Sequence, residues 1–311
     1  MKYASFIYTT SSNLGDQIQS LAIEQFLPSI DVQFDRDFLK EANEKEKHLL
    51  IMQGWFSHFP ERCFPPADCI IPVFFGFHIT DWNESIEYFL NPHSINYLKQ
   101  HEPIGCRDKK TMEMLREKGI GAFYSKCLTL TFPKREIEPK DGKVFLVNMD
   151  GIKIPEYVRK DSISLSHDGY PFWNEKVKYL MAKNLIEMYR DEAKLIVTTK
   201  LHCALPCIAM GIPVVFFGNQ DDYRVSIIRD LNVPIYPISK KKEIMPKSLT
   251  ERIKSKLQKS LKITKLNEND EEIPYIDWNP NPISIETIKN EITQSIKDII
   301  DKTIKMNNNK K

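Results

Sequence analysis

The chain has 311 residues, 41% of them hydrophobic and 28% charged, and a formal net charge of +2. The length suits two domains of ordinary size, and the apolar share suits a soluble globular protein. A charge so close to neutral excludes nucleic-acid binding by bulk electrostatics.

Strand and helix signals alternate from the start. "YASFIYTT" reads as a strand, and "MKYASFIYTT" lacks the apolar core and cleavage site of a signal peptide. The polar loop "SSNLGD" leads into a helical pattern with Ile18, Leu21, Ala22, Ile23 and Phe26. "HLLIMQGW" and "DCIIPVFFGFHI" are nearly all apolar, as expected of parallel strands buried on both faces. The second run is far shorter than the roughly 20 residues that span a bilayer, so a cytoplasmic protein is expected. "DKKTMEMLREKG" reads as a helix with Met112 and Leu115 inside and Gly119 as its stop. "GAFYS" and "CLTLTF" follow as strand-like pieces.

"PKREIEPKDGK" is charged and marked by Pro and Gly, as a linker would be, and we place a domain boundary there. A second alternation runs through "KVFLVNM", "SISLSH", a helix over "NEKVKYLMAKNLIEMYRDE", the strand "KLIVTT", a helix from about His202 to Met210, and "PVVFF". The stretch from Lys240 to Lys265 is dense in lysine. It reads as a solvated helix face, or as a weak contact with an anionic membrane surface. Ile285, Ile288, Ile292, Ile296 and Ile299 form one apolar stripe of a helix packed on a domain surface. The expected units are 1–135, 136–281 and a C-terminal helix with a frayed tail over 282–311. The expected fold is α/β: two doubly wound, Rossmann-like domains facing a central cleft, with ligands outside the carboxyl ends of the strands.

The six cysteines include no C-x-x-C pair and no zinc-finger spacing, so most are expected as buried core residues and no metal site is predicted. Lys200 and His202 directly follow the strand "KLIVTT" and open the next helix. A cation and an imidazole beside unpaired helix amides make an anion site with a proton donor or acceptor attached. The plainer alternative is a capping histidine and a solvated lysine. In "SSNLGD", Asn13 and Asp16 read either as helix-capping residues or as groups that orient a ligand hydroxyl. The loop is not G-x-G-x-x-G, so no nicotinamide or flavin cofactor is supported. Arg107 in "PIGCRDKKT" and Arg224 in "DDYR" lie at carboxyl ends and offer planar forks for phosphate or carboxylate, with a surface ion pair as the plainer reading of Arg107. His78 and His167 each end a strand-like run and are secondary candidates beside the more common structural role.

Taken together, "NLGDQIQSLA", "PIGCRDKKTMEMLREKGI", "YSKCLTLTF" and "VTTKLHCALPCIAMGIPVV" resemble the polysaccharide pyruvyl transferases, in the family's order. The resemblance implies an arrangement similar to GT-B glycosyltransferases. It also implies transfer of a pyruvyl group from phosphoenolpyruvate to two hydroxyls of a sugar as a cyclic ketal, in bacterial capsule or exopolysaccharide biosynthesis. It places the acceptor with Asn13 and Asp16 on the first unit. It places the donor on the second, at Lys200, Leu201 and His202, with Arg107 and Arg224. His202 becomes the candidate acid/base, phosphoenolpyruvate is a substrate rather than a cofactor, and the acceptor is a glycan or lipid-linked oligosaccharide at the inner membrane face. Two positions depart from the pattern: Lys200 stands where the family usually has arginine, and Lys126 where it commonly has glycine. The alternatives are a nucleotide-sugar glycosyltransferase, with Asp221 and Asp222 holding a ribose, and a non-catalytic glycan-binding relative.

Overall fold

A computed structural model of the protein describes residues 1–170, 173–238 and 275–309. The lysine-dense stretch from Lys240 to Lys265 lies outside the described residues.

The first half runs β1 (Lys2–Ile7), α1 (Leu14–Glu24), β2 (Val32–Asp35), β3 (His48–Trp55), α2 (Pro60–Cys63), β4 (Ile70–His78), α3 (Asn83–Phe89), α4 (Pro92–Gln100), β5 (Ile104–Cys106), α5 (Lys109–Glu117) and β6 (Ala122–Tyr124). Its strands form one parallel sheet in the order β2-β1-β3-β4-β5-β6. The second half runs β7 (Lys143–Val147), α6 (Glu156–Arg159), β8 (Ser162–Leu165), α7 (Glu175–Glu192), β9 (Ala193–Thr198), α8 (Leu201–Ala209), β10 (Val214–Phe217), α9 (Ser226–Asp230) and β11 (Ile235–Tyr236). It forms a second parallel sheet, β11-β10-β9-β7-β8. The protein is thus an α/β fold of two sheets with interleaved helices.

Every residue of β4 is buried, which is why its sequence is apolar without alternation. The β3–β4 register ends with Trp55 opposite His78, so two polar-tipped side chains finish neighbouring strands at one edge. Strand order reverses beside β1 in the first sheet and beside β7 in the second, the positions where doubly wound sheets leave a crevice.

The loop after β1 is fastened to the second half. Lys178 on α7 is buried, and its Nζ donates to the carbonyls of Tyr8 (2.7 Å) and Ser11 (2.9 Å). The Leu14 amide donates to the carbonyl of His167 at 2.7 Å. The C-terminal helix (Glu286–Asn308) buries Ile292, Ile296 and Ile300 against the first half, near β4 and the turn Leu128–Thr131. Its Lys289 Nζ donates to the Ala209 carbonyl at the end of α8 (2.9 Å), so this helix touches both halves.

Two local readings change. "CLTLTF" is not a strand: Leu128–Thr131 is a 3-10 turn. Lys126 takes a left-handed conformation (φ 62°) that turns the chain away from the edge strand β6, and Leu128 donates its amide to Gln53 Oε1 (2.7 Å) instead of to a neighbouring strand. The stretch 27–47, to which we assigned no element, contains β2 and a 3-10 segment, Arg36–Glu41.

Candidate active site

A cavity of about 450 Å3 opens where the carboxyl ends of both sheets meet, within the size range of small-molecule sites. Asn13, Asp16, His78, Arg107, Lys200, Leu201, His202 and Arg224 all line it. A larger hollow of about 560 Å3, walled by Ile7, Glu24, Tyr179 and Leu180, holds none of these residues.

The cations on the cavity differ in their partners. Lys200 forms an ion pair with Asp168. Arg224 is engaged by Asp222, with Nη2 to Oδ2 at 2.6 Å. Arg107, by contrast, is only 5% exposed, and its guanidinium has no hydrogen-bond or ion-pair partner among the described residues. Its backbone amide donates to the Phe77 carbonyl (2.9 Å), which pins the residue at the end of β5. A buried cation that no ion pair holds is costly, and one that lines a cavity is suited to an anion.

His78 ends β4 and is 1% exposed. Its Nδ1 lies 2.6 Å from Asp108 Oδ2. Asp108 also caps α5, accepting from the Thr111 amide at 2.8 Å. Burial pushes His78 down to about 4, and the Arg107 cation adds to this against the opposing pull of Asp108. Burial works to raise Asp108, but the His78 hydrogen bond, Arg107 and the Thr111 amide hold it below the usual carboxylate range. The shared proton therefore sits on Nδ1 and is donated to the carboxylate, leaving Nε2 as a lone-pair nitrogen. Tyr223 stacks on the imidazole at 5.7 Å and 29°.

His202 stands at the first turn of α8 with non-helical dihedrals (φ −82°, ψ 15°). Burial first, then Arg107, His167 and His78, push its imidazole well below the ordinary histidine value. Its Nε2 is buried without a partner among the described residues. The starts of α1 and α8 press together here. A Cβ on Gly15 would lie 3.2 Å from His202 Cβ and 3.0 Å from Asn13 Oδ1. Asn13 caps α1 through Gly15 (2.9 Å).

His167 is not brought into the cavity. It is fully buried, with Nε2 2.9 Å from the Tyr189 hydroxyl and its ring stacked on that of Tyr189. Its carbonyl holds the start of α1, so it supports the cleft from behind.

Sequence reasoning missed several wall residues: Gln19, Trp55 and Trp82 among them. Trp55 and Trp82 stand at or just past strand carboxyl ends, a signal readable in retrospect. Arg36 gave no signal. It is buried under the wall, paired with Asp37 through two 3.0 Å bonds and with Asp16 at 3.3 Å. All six cysteines are free thiols, five of them buried. Among the described residues, no group of His, Cys, Asp or Glu is placed to hold a metal ion.

The sequence matches the polysaccharide pyruvyl transferase family over residues 13–221, about two thirds of the chain. This protein belongs to the polysaccharide pyruvyl transferase family. The match takes in the cavity residues from Asn13 to His202 and ends just before Arg224. No curated protein matches. The chain is similar to the crystal structure of an uncharacterized protein from Klebsiella pneumoniae subsp. pneumoniae, at 15% identity and a TM-score of 0.46, covering 74% of this chain and 88% of that one. Among the described residues, no helix is long and apolar enough to cross a membrane.

Proposed function

We propose that this pyruvyl transferase takes phosphoenolpyruvate as donor and joins the pyruvyl carbon to two hydroxyls of one glycan sugar as a cyclic ketal. The observation that carries the reading is the buried, partnerless Arg107 on a cavity that also receives the start of α8 and two imidazoles held neutral. Phosphoenolpyruvate brings a carboxylate for the Arg107 fork and a phosphate for the α8 amides with Lys200 and Arg224. Lys200 supplies a point charge where an arginine would give two parallel bonds, so Arg107 takes the bidentate role.

In this scheme one sugar hydroxyl adds to C2 of the donor. His78, backed by Asp108, removes its proton. The electron pair of the C2–C3 double bond takes a proton from His202, which makes the methyl group. His202 can act as an acid because the trianionic donor raises the imidazole that Arg107 depresses in the free site. The second hydroxyl then attacks C2, the C2–O bond to phosphate breaks with its electron pair on phosphate, and the second proton leaves with the phosphate. The cations stabilise the charge on the departing group.

The facing sheets support a GT-B-like division, with the first sheet on the acceptor side and 136–281 carrying the donor side. The C-terminal helix Glu286–Asn308 touches both halves. The glycan would be a bacterial surface polysaccharide precursor, handled in the cytoplasm with peripheral contact to the inner membrane face. The nucleotide-sugar alternative is weakened, because Asp222 is already engaged by Arg224 instead of standing free for a ribose.

The test is calorimetry with phosphoenolpyruvate, followed by phosphate release in the presence of galactose- and mannose-bearing acceptors. Donor binding and acceptor-dependent release are expected. No binding, together with stabilisation by UDP or GDP, overturns the reading.

A further inference from the structure

The cavity has a second wall whose chemistry differs from that of the donor side. Trp82 stands on it with 52% of its surface exposed, unusual for so large an apolar side chain. Its one ring contact among the described residues is perpendicular, to Trp55 at 5.7 Å and 86°. Trp55 itself is occupied: the Arg36 guanidinium lies 5.7 Å from its ring centre, and His58 stacks on it at 5.8 Å and 19°. Trp82 is therefore buttressed, and among the described residues no ring is stacked flat on it. On the same cavity, Gln19 is 1% exposed, and its Oε1 is buried with no hydrogen-bond partner among the described residues. Gln19 Nε2 is turned to Asp16 Oδ1 at 3.3 Å, which leaves the oxygen as the group lacking a donor. Arg36 brings no free positive charge here, because Asp37 and Asp16 both pair with it.

An aromatic face and two hydroxyl acceptors, whose adjoining cation Arg36 is already paired by Asp16 and Asp37, suit a sugar better than an anion. We infer that Trp82, Gln19 and Asp16 bind one neutral pyranose ring of the acceptor, its C–H face on Trp82 and its hydroxyls donating to Gln19 Oε1 and the Asp16 carboxylate. This rests on the pyruvyl-transfer reading and names its acceptor class. An acidic sugar is disfavoured, because its carboxylate would face Asp16 with no counter-ion.

The inference is tested by saturation-transfer NMR on the full chain with methyl β-galactopyranoside, methyl α-mannopyranoside and a methyl glucuronide, with donor binding measured in parallel by calorimetry. Ring C–H protons of at least one neutral glycoside are expected to take up saturation, with the glucuronide giving markedly less. Trp82→Ala is expected to remove the signal and Trp82→Phe to keep part of it, both melting as the parent does. Arg107→Met is expected to leave it unchanged. With a working acceptor, Trp82→Ala is expected to raise the acceptor KM about tenfold with the donor KM unmoved. Equal signal in Trp82→Ala, or equal signal from the glucuronide, overturns the inference. Donor binding with no sugar signal overturns it alone. A Trp82-dependent sugar signal without donor binding supports it while removing the pyruvyl-transfer reading.

Discussion

Replacing Arg107 by methionine should weaken donor binding while leaving the fold as stable or making it more so. Arg107 is 5% exposed as a residue, its Nε is buried without a partner, and no ion pair holds its guanidinium among the described residues, so the free protein bears the cost of a largely desolvated charge. Exchanging such a charge for an apolar side chain of similar length is neutral to stabilising, by up to about 4 kcal/mol. The donor loses two charge-assisted hydrogen bonds worth about 1.5–3 kcal/mol each, so its dissociation constant should rise at least 100-fold, that is by about 3 kcal/mol. Arg107 also depresses both His78 and His202, so the two imidazoles should titrate at higher pH in the variant. Scanning calorimetry, titration calorimetry with phosphoenolpyruvate and histidine NMR measure the three effects. A variant that melts lower and binds the donor as before would show that Arg107 is a structural residue, and the proposed site would fall with it.

Three further outcomes are expected. Gly15→Ala places a methyl 3.2 Å from His202 Cβ, so kcat should fall about tenfold with little change in melting, because small displacements at a reacting centre cost far more rate than stability. Unchanged kinetics would mean that the starts of α1 and α8 are not pressed together. At Lys126, with φ 62°, glycine should be neutral or mildly stabilising, whereas valine should cost about 1–2 kcal/mol in chemical denaturation. Equal stability of the two variants would argue against the left-handed turn. Stability should also depend on pH through His78. Its folded value of about 4 lies below the ordinary value of about 6.5, so the unfolded chain binds the extra proton between them. Stability is then full above about pH 6.5 and declines towards pH 4, by about 3 kcal/mol from this group. Denaturant titrations of the parent and His78→Gln should differ in that slope, and identical slopes would contradict a neutral buried His78.

Much of the architecture was legible because its signals are local. The near-continuous apolar runs of β3 and β4 announce strands covered on both faces, Asp108 and Asn13 announce helix starts, and the isoleucine stripe announces the C-terminal helix. Strand-end placement likewise marked Arg107, Lys200, His202 and Arg224, which the fold gathers on one cavity.

What tertiary structure alone decided was partnership. His78 and His167 look alike in sequence, each a histidine closing a strand-like run. One meets Asp108 and the cavity, and the other meets Tyr189 and the core. Of the three cations on the cavity, Asp168 and Asp222 pair with two and leave Arg107 outside any ion pair among the described residues. The Arg36 cluster and the exposure of Trp82 on the cavity were equally hidden. Strand and helix formation depend on residues a few positions apart, so a single stretch encodes them. The charge, burial and proton of a side chain depend on atoms brought from distant parts of the chain, and only the packed molecule sets them.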